Sequence, residues 1–242
     1  MKIIASDFDG TINYNGVSQA DREAIKRFRE AGNKFGIVTG RDLEAARWIL
    51  HGDKMEVDFY VTCTGALITD GDGKIIYEDT GSVGEYIKDV IKEAKNNGAW
   101  ALNIVNRTLK YQVDCTGVIP YEHGKMKEFN HCNTWLPNDE AAKKLCEYIN
   151  EKHGDKISAC QNGRNVDMPP YGNSKTTGIY KYASQFENPK IYTVGDNYND
   201  IPMLAEFESF AVSNARDEVK KVAKHTCDRV CDMIDFILNE EK

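Results

Sequence analysis

Lys2-Ile3-Ile4-Ala5-Ser6-Asp7-Phe8-Asp9-Gly10-Thr11 is the stretch on which the reading of the chain turns. A short apolar run delivers two carboxylates to its carboxyl end, the edge at which α/β sheets keep their ligands. Alternation at a strand end lets Asp7 and Asp9 face one point while Phe8 turns into the core. Gly10 permits a turn that a β-carbon would obstruct. Asp9-Gly10 alone would also suit an ordinary turn after a strand, so the rest of the chain has to decide between a turn and a site.

Composition narrows the choice. The 242 residues suffice for one large domain or two modest ones. Hydrophobic residues make up 41 % and charged residues 29 %, the mixture of an ordinary globular protein. A net charge of −7 argues against nucleic acid or an anionic membrane as partner. It also means that work on an anionic substrate needs local positive charge, from a metal or a placed Lys or Arg. Seven scattered cysteines with no C-x-x-C pattern imply no disulfide framework and a reduced, cytoplasmic setting. Cys227 and Cys231 lack the second pair that zinc would require and read as small buried hydrophobes. No signal peptide is expected, and no apolar stretch approaches membrane-spanning length.

Apolar strands alternate with amphipathic helices over the first seventy residues. Ser18 reads as the N-cap of a helix through Arg29. Lys34 to Val38 is a strand, Thr39-Gly40-Arg41 leads into a helix through Leu50, and Val57 to Val61 is a third strand. Asp70-Gly71-Asp72-Gly73 reads as a hairpin turn rather than a calcium loop, because the downstream bidentate Glu is missing. From about residue 80 to 172 the texture changes. A helix over Val83–Asn97 precedes strands near Ala99–Val105 and Leu109–Asp114, then an irregular piece with Pro120, His123 and His131. A helix over Asp139–His153 follows, then strands Lys156–Cys160 and Asn165–Met168. After Pro169-Pro170-Tyr171-Gly172 the alternation returns, with helices over Lys175–Phe186, Asn199–Glu206, Asp217–Ala223 and Cys231–Asn239 and strands over Ile191–Val194 and Ser209–Val212. Such alternation implies a doubly wound, Rossmann-like parallel sheet covered on both faces. The expected organisation is therefore a core domain of residues 1–80 and 173–242, carrying residues 81–172 as an inserted α/β domain.

Three further motifs sit at strand ends or helix starts of the core. Thr39-Gly40 puts a hydroxyl and free backbone N–H groups at a helix amino end, a natural anion seat. Lys175 stands at the start of a helix, where the dipole disfavours a cation; unaided, it reads best as a surface residue. Gly195-Asp196-Asn197-Tyr198-Asn199-Asp200 follows a strand with two carboxylates and an amide. Asp7, Asp9, Asp196 and Asp200 on neighbouring strand ends would repel strongly without a cation among them, and an oxygen-only ligand set of high charge favours Mg²⁺.

These four motifs, in this order, resemble those of the haloacid dehalogenase superfamily, and the resemblance covers essentially the whole chain. Thr39 and Lys175 lie much further apart than a βα unit requires, which places the insertion as in the Cof-type (class IIB) subfamily, with an α/β cap. Thr64-Gly65-Ala66 stands where such relatives often have Asn-Gly-Ala, and Val212-Ser213-Asn214-Ala215 lacks the usual Met-Gly. The resemblance implies a Mg²⁺-dependent phosphatase of small phosphorylated metabolites, with sugar phosphates the common choice. Asp7 would be the nucleophile that forms an aspartyl-phosphate, and Asp9 the general acid and then base. Thr39, Gly40, Lys175 and Asn199 would hold the phosphoryl group, Asn199 by orienting it or Lys175. Asp7, Asp196 and the Asp9 backbone carbonyl would hold the metal, with Asp200 behind them. Arg107, His123, Lys125, His131 and Arg164 are the polar candidates for contact with the leaving group. A phosphosugar mutase using the same intermediate and a non-catalytic phospho-ligand binder are the alternatives. The assembly is expected to be a monomer or homodimer.

Overall fold

The computed structural model describes residues 1–14, 16–52, 55–107, 109–115 and 126–239. Strand β1 (Lys2–Ser6) is buried at every position. Helix α1 (Gln19–Glu30) starts where the Ser18 hydroxyl accepts the Asp21 N–H at 3.1 Å, and buries Ala24, Ile25 and Phe28 at helical spacing. Next come β2 (Lys34–Val38), α2 (Leu43–Gly52), β3 (Phe59–Thr62), β4 (Leu67–Asp70) and β5 (Ile75–Glu78). The middle of the chain gives β6 (Gly81–Ser82), α3 (Tyr86–Asn96), β7 (Ala101–Asn106), β8 (Leu109–Asp114), β9 (Glu128–Phe129), β10 (His131–Trp135), α4 (Asp139–His153), β11 (Cys160–Asn162) and β12 (Asn165–Met168). The remainder supplies α5 (Lys175–Ala183), β13 (Lys190–Gly195), α6 (Ile201–Glu206), β14 (Glu208–Val212), α7 (Asp217–Lys220), β15 (His225–Cys227) and α8 (Val230–Asn239).

Eight strands form one sheet in the order β15-β14-β13-β1-β2-β3-β4-β5. The six from β15 to β3 run parallel, and β4 and β5 add an antiparallel hairpin at one edge. From β1 the chain winds outward through β2 and β3, then returns to the other side of β1 as β13. The order therefore reverses between β1 and β13, the position where doubly wound sheets open a crevice at their carboxyl ends. A second, antiparallel sheet of five strands runs β11-β12-β10-β7-β8, and β6 pairs with β9 beside it. Each large sheet has its own apolar core: Ile3, Phe8, Phe28, Phe35 and Tyr192 belong to the first, Ile87, Leu102, Cys132, Leu145 and Met168 to the second.

Several elements differ from the sequence reading. His131, expected in an irregular piece, lies in a central strand of the smaller sheet. The strand expected over Lys156–Cys160 is instead Cys160–Asn162, and Ile157 makes only an isolated bridge to Pro170. Strand β15 was not anticipated; it is three residues at a sheet edge. The helix expected over Asp217–Ala223 stops at Lys220. Pro120 and His123 fall outside the described residues.

Asp21 ties the first helix to the last. Its buried carboxylate accepts from Arg229 Nη2 at 2.8 Å and from the Cys231 N–H at 3.0 Å, and Ser18 Oγ donates to it at 2.5 Å. Burial alone would raise the Asp21 carboxyl, but Ser18, Arg229 and the Cys231 amide together hold it below the ordinary carboxylate value. A depressed folded value contributes stability above the unfolded value near pH 4, and that contribution is lost as pH falls through the folded one. Asp21→Ala should therefore cost on the order of 2 kcal/mol at pH 7. Urea denaturation should show the gap from wild type narrowing below about pH 4.

Candidate active site

The crevice between β1 and β13 gathers acidic side chains from two separate parts of the chain, Asp7 after β1 and Asp196 and Asp200 after β13. The Asp7 N–H donates to the Val194 carbonyl at 2.9 Å, so the β1–β13 ladder continues one residue beyond β1 and fixes where Asp7 stands. Phe8, next along, is wholly buried. Lys175 opens α5, whose N-cap Ser174 and Thr177 bond reciprocally. Its Nζ donates to Asp7 Oδ1 at 2.5 Å and to Asp200 Oδ1 at 2.6 Å. Without the family resemblance Lys175 reads as a surface residue; its side chain is 1 % exposed and stands against Asp7. The two carboxylates offset the position at a helix amino end, where a cation gains nothing from the dipole.

Asp200 has a second task. Its other oxygen accepts the N–H groups of Asp196 and Asn197, each at 3.0 Å, which shapes the turn after β13. Asp196 accepts from Thr11 Oγ1 at 2.8 Å. Gly10, at φ +86°, lies so close that a β-carbon would sit 2.5 Å from the Asp196 carboxylate, and Asn214 Nδ2 donates to the Gly10 carbonyl at 2.8 Å. Gly65, at φ +96°, is pressed against the cap of α5: a β-carbon there would lie 2.1 Å from the Ser174 carbonyl oxygen.

One oxygen from each of Asp7, Asp196 and Asp200 lies within 4.8 Å of the others. Burial first, and then repulsion from Asp200, push the Asp7 carboxyl well above its ordinary value, although Lys175 pulls the other way. Asp196 is raised for the same leading reasons. Burial works against the Lys175 ammonium, but Asp200 and Asp7 outweigh it and keep the lysine charged. One ammonium therefore does not offset three carboxylates. An all-oxygen donor set with this unmet demand for positive charge fits a hard divalent cation such as Mg²⁺.

Asp9 departs from the sequence expectation. Its carboxylate does not join Asp7; it receives Arg41 Nε at 2.6 Å and Nη2 at 2.9 Å and is about half exposed. Strand alternation no longer applies past Ser6, because residues 8–13 fold into a turn in which the Asn13 N–H donates to Phe8 O at 2.8 Å. Three carboxylates gather, not four. Arg41 was missed as a partner because the pairing is non-local; the available signal was a lone cation in Thr39-Gly40-Arg41. Thr39 is buried beside it, its Oγ1 accepting the Arg41 N–H at 3.1 Å. Asn199 is buried in the short turn Tyr198–Asp200 and makes no hydrogen bond to Lys175 among the described residues. Thr64, where relatives often have Asn, adopts φ +53° with its buried hydroxyl unpartnered among the described residues.

The smaller sheet roofs the crevice. A cavity of about 310 Å³ between the sheets is lined by Asp9, Thr39, Arg41, His131, Asn133 and Asp167, among others. Asp167 of β12 reaches Gly40 so closely that a β-carbon on Gly40 would lie 2.7 Å from its carboxylate. Asn197 Nδ2 donates to Asn162 Oδ1 across the same gap at 3.0 Å. Of the polar residues suggested from sequence, His131 lines this cavity. Arg107 pairs with Glu78 at the edge of the core sheet, and Arg164 lines a different, shallow pocket beside Pro137. His123 and Lys125 lie outside the described residues. Sequence reasoning missed Asn133, Asn162, Asn165 and Asp167. Their signal was Asn165-Val166-Asp167, polar on one strand face and apolar on the other.

A doubly wound sheet thus carries three clustered carboxylates at its switch point. Residues 4–233 match the haloacid dehalogenase-like hydrolase family, and the chain belongs to it. An uncharacterized protein of Mycoplasma capricolum is 24 % identical, over 95 % of this chain and 97 % of its own. A haloacid dehalogenase-like hydrolase from B. subtilis superposes with a TM-score of 0.82 at 17 % identity, over 97 % of this chain and 99 % of that one. A HAD/COF-like hydrolase from Plasmodium vivax gives 0.80 at 22 % identity, over 99 % and 96 %. A HAD subclass IIB sugar phosphatase gives 0.77 at 19 % identity, over 98 % and 99 %.

Lys175→Met should leave the acidic cluster without its internal cation. Urea denaturation at pH 7 is expected to show a loss of about 3–5 kcal/mol, the usual result of stranding a buried charge.

Proposed function

We propose that this enzyme hydrolyses small phosphomonoesters, sugar phosphates or similar metabolites, through an aspartyl-phosphate on Asp7. The observation that carries the reading is the buried Asp7–Lys175–Asp200 chain at the switch point, roofed by a polar second sheet. A buried carboxylate held by a lysine, two residues from the Asp9 that lines the cavity, suits nucleophilic attack on phosphorus. Asp7 would form the new P–O bond as the ester's P–O bond breaks, and Asp9, having left Arg41 and taken a proton from solvent, would give that proton to the leaving alcohol. Asp9 would then take a proton from the water that hydrolyses the aspartyl-phosphate. To reach the leaving oxygen its carboxylate has to slip out of the Arg41 fork, which leaves that guanidinium free for a phosphoryl oxygen. Thr39 and the Gly40 N–H would steady the same group, with Asn199 at its other side, and Lys175 would hold Asp7 in line. Mg²⁺, bound through Asp7, Asp196 and the Asp9 carbonyl with Asp200 behind, would supply the positive charge that one lysine cannot.

We take residues 81–172 as the cap and residues 1–80 and 173–242 as the core, in keeping with the separate apolar cores. The seven cysteines are free thiols and no helix among the described residues is long and apolar enough to cross a membrane, which is compatible with a cytoplasmic enzyme. We expect a monomer or homodimer.

Inorganic phosphate release from a panel of phosphorylated metabolites, with and without Mg²⁺, tests the reading. Wild type should release phosphate only with the metal, and Asp7→Asn should lose about a thousandfold or more in kcat. Turnover that survives in Asp7→Asn would overturn the nucleophile. Isomer interconversion without phosphate release would mark a mutase instead.

A further inference from the structure

The roof meets the core at two seats, one after β5 and one after β13 and β14, with β1 and its Asp7 between them in strand order. The seat after β5, where the chain enters and leaves the smaller sheet, is buried. Asn173, 2 % exposed, donates from Nδ2 to Asp79 Oδ2 at 2.7 Å and to the Pro170 carbonyl at 3.1 Å, and its Oδ1 accepts Lys181 Nζ at 2.9 Å. Asp79 and Pro170 lie in the two connecting segments, so one side chain ties both of them to α5. Asn130 Nδ2 adds a bond to the Asp79 carbonyl at 2.8 Å. Polar groups bonded to one another out of water make a fixed seat.

The other seat is built around Arg216, just before α7. Its Nη1 stands 2.8 Å from Asp139 Oδ2, at the first residue of the roof helix α4. The same nitrogen donates to the Tyr198 hydroxyl at 3.3 Å, and the guanidinium carbon lies 4.6 Å from the centre of the Tyr198 ring. Gly163, at φ +59°, lets the roof come down on this group: a β-carbon there would lie 3.3 Å from Arg216 Nη2. On the roof, Gln161 Nε2 donates to the Asp139 carbonyl at 2.9 Å and the Gly163 carbonyl at 3.1 Å, so helix start and turn move together. On the core, the Arg216 N–H donates to the Asp196 carbonyl at 3.1 Å, and Tyr198 opens the short turn that ends at Asp200. Arg216 thus grips the roof with its side chain and, with its backbone and the ring beneath it, the segment that carries two of the three clustered carboxylates.

Resting on the divalent-ion reading above, we propose that Arg216 is a positioning residue that couples the seating of the roof to the ion site. With the roof seated, the guanidinium is clamped between Asp139 and Tyr198, and residues 196–200 are held in the form that receives the ion. By linkage, ion binding favours the seated roof to the same extent. The Arg216 and Asp139 side chains are 36 % and 40 % exposed, so the clasp is modest in strength and weakened by salt, which suits a contact that opens and recloses.

Mn²⁺ binding to the full chain without substrate, followed by electron paramagnetic resonance, reads the coupling directly. Asp139→Asn changes only the roof, yet should weaken Mn²⁺ binding about three- to fivefold at low salt. Arg216→Gln should weaken it at least as much, and the double variant no more than Arg216→Gln alone. The sign at Arg216 separates the clasp from a simple field effect, because removing a positive charge would by itself tighten cation binding. Asp139→Glu should stay within about twofold of wild type, and the Asp139→Asn deficit should vanish at about 1 M NaCl. Arg216→Ala gives the same readout should Arg216→Gln fail to fold. Unchanged Mn²⁺ affinity in Asp139→Asn would overturn the coupling, as would tighter binding in Arg216→Gln or additive losses in the double variant. A wild type that binds no Mn²⁺ would refute the divalent-ion reading itself, and the coupling with it.

Discussion

The Lys175 ammonium, held between Asp7 and Asp200 inside the protein, is the contact on which the arrangement depends. Three carboxylates on neighbouring strand ends repel one another in a buried setting, and a cation among them is what allows the ends to close together. The lysine comes from the helix that follows the inserted residues, so the same contact joins the start of the chain to its last third. The charge it leaves unmet is what makes the crevice chemically suited to a divalent ion. Site and fold are consequently one electrostatic problem with one solution.

Much of this was legible from residue order alone. Strand–helix alternation gave β1, β2 and the parallel sheet, because a strand buried on both faces writes itself as a continuous apolar run. Asp7, Asp196 and Asp200 follow such runs, and their position at the crevice was implied by topology. Other features were hidden for definite reasons. The side chain of Asp9 was placed by strand alternation, which stops at Ser6. Arg41 was not paired because its partner lies 32 residues away. Lys175 looked like a surface residue because the helix dipole argues against it and its counterions are remote in sequence.

The smaller sheet was harder to read, and β10 shows why. In His131-Cys132-Asn133-Thr134-Trp135 the residues lining the cavity are a buried histidine, a half-buried asparagine and an exposed tryptophan, so alternation carries little contrast in hydrophobicity. A polar face turned toward a cavity looks, in sequence, like a solvent face. Its neighbour β12 repeats the pattern, with Val166 and Met168 inward and Asn165 and Asp167 toward the cavity. Local patterning fails here because these strands carry polar groups on a face that is partly buried.

Gly65 links these levels at a single atom. Its lack of a side chain lets the bend after β3 abut the carbonyl of Ser174, the residue that caps α5. The longest reach in the crevice, that of the lysine, therefore starts from a platform set by the smallest residue in the chain. A lone methyl added there would press on that platform and be felt at the lysine, without touching any charged group. Tolerance to change in this molecule is set as much by such backbone abutments as by the groups that do the chemistry.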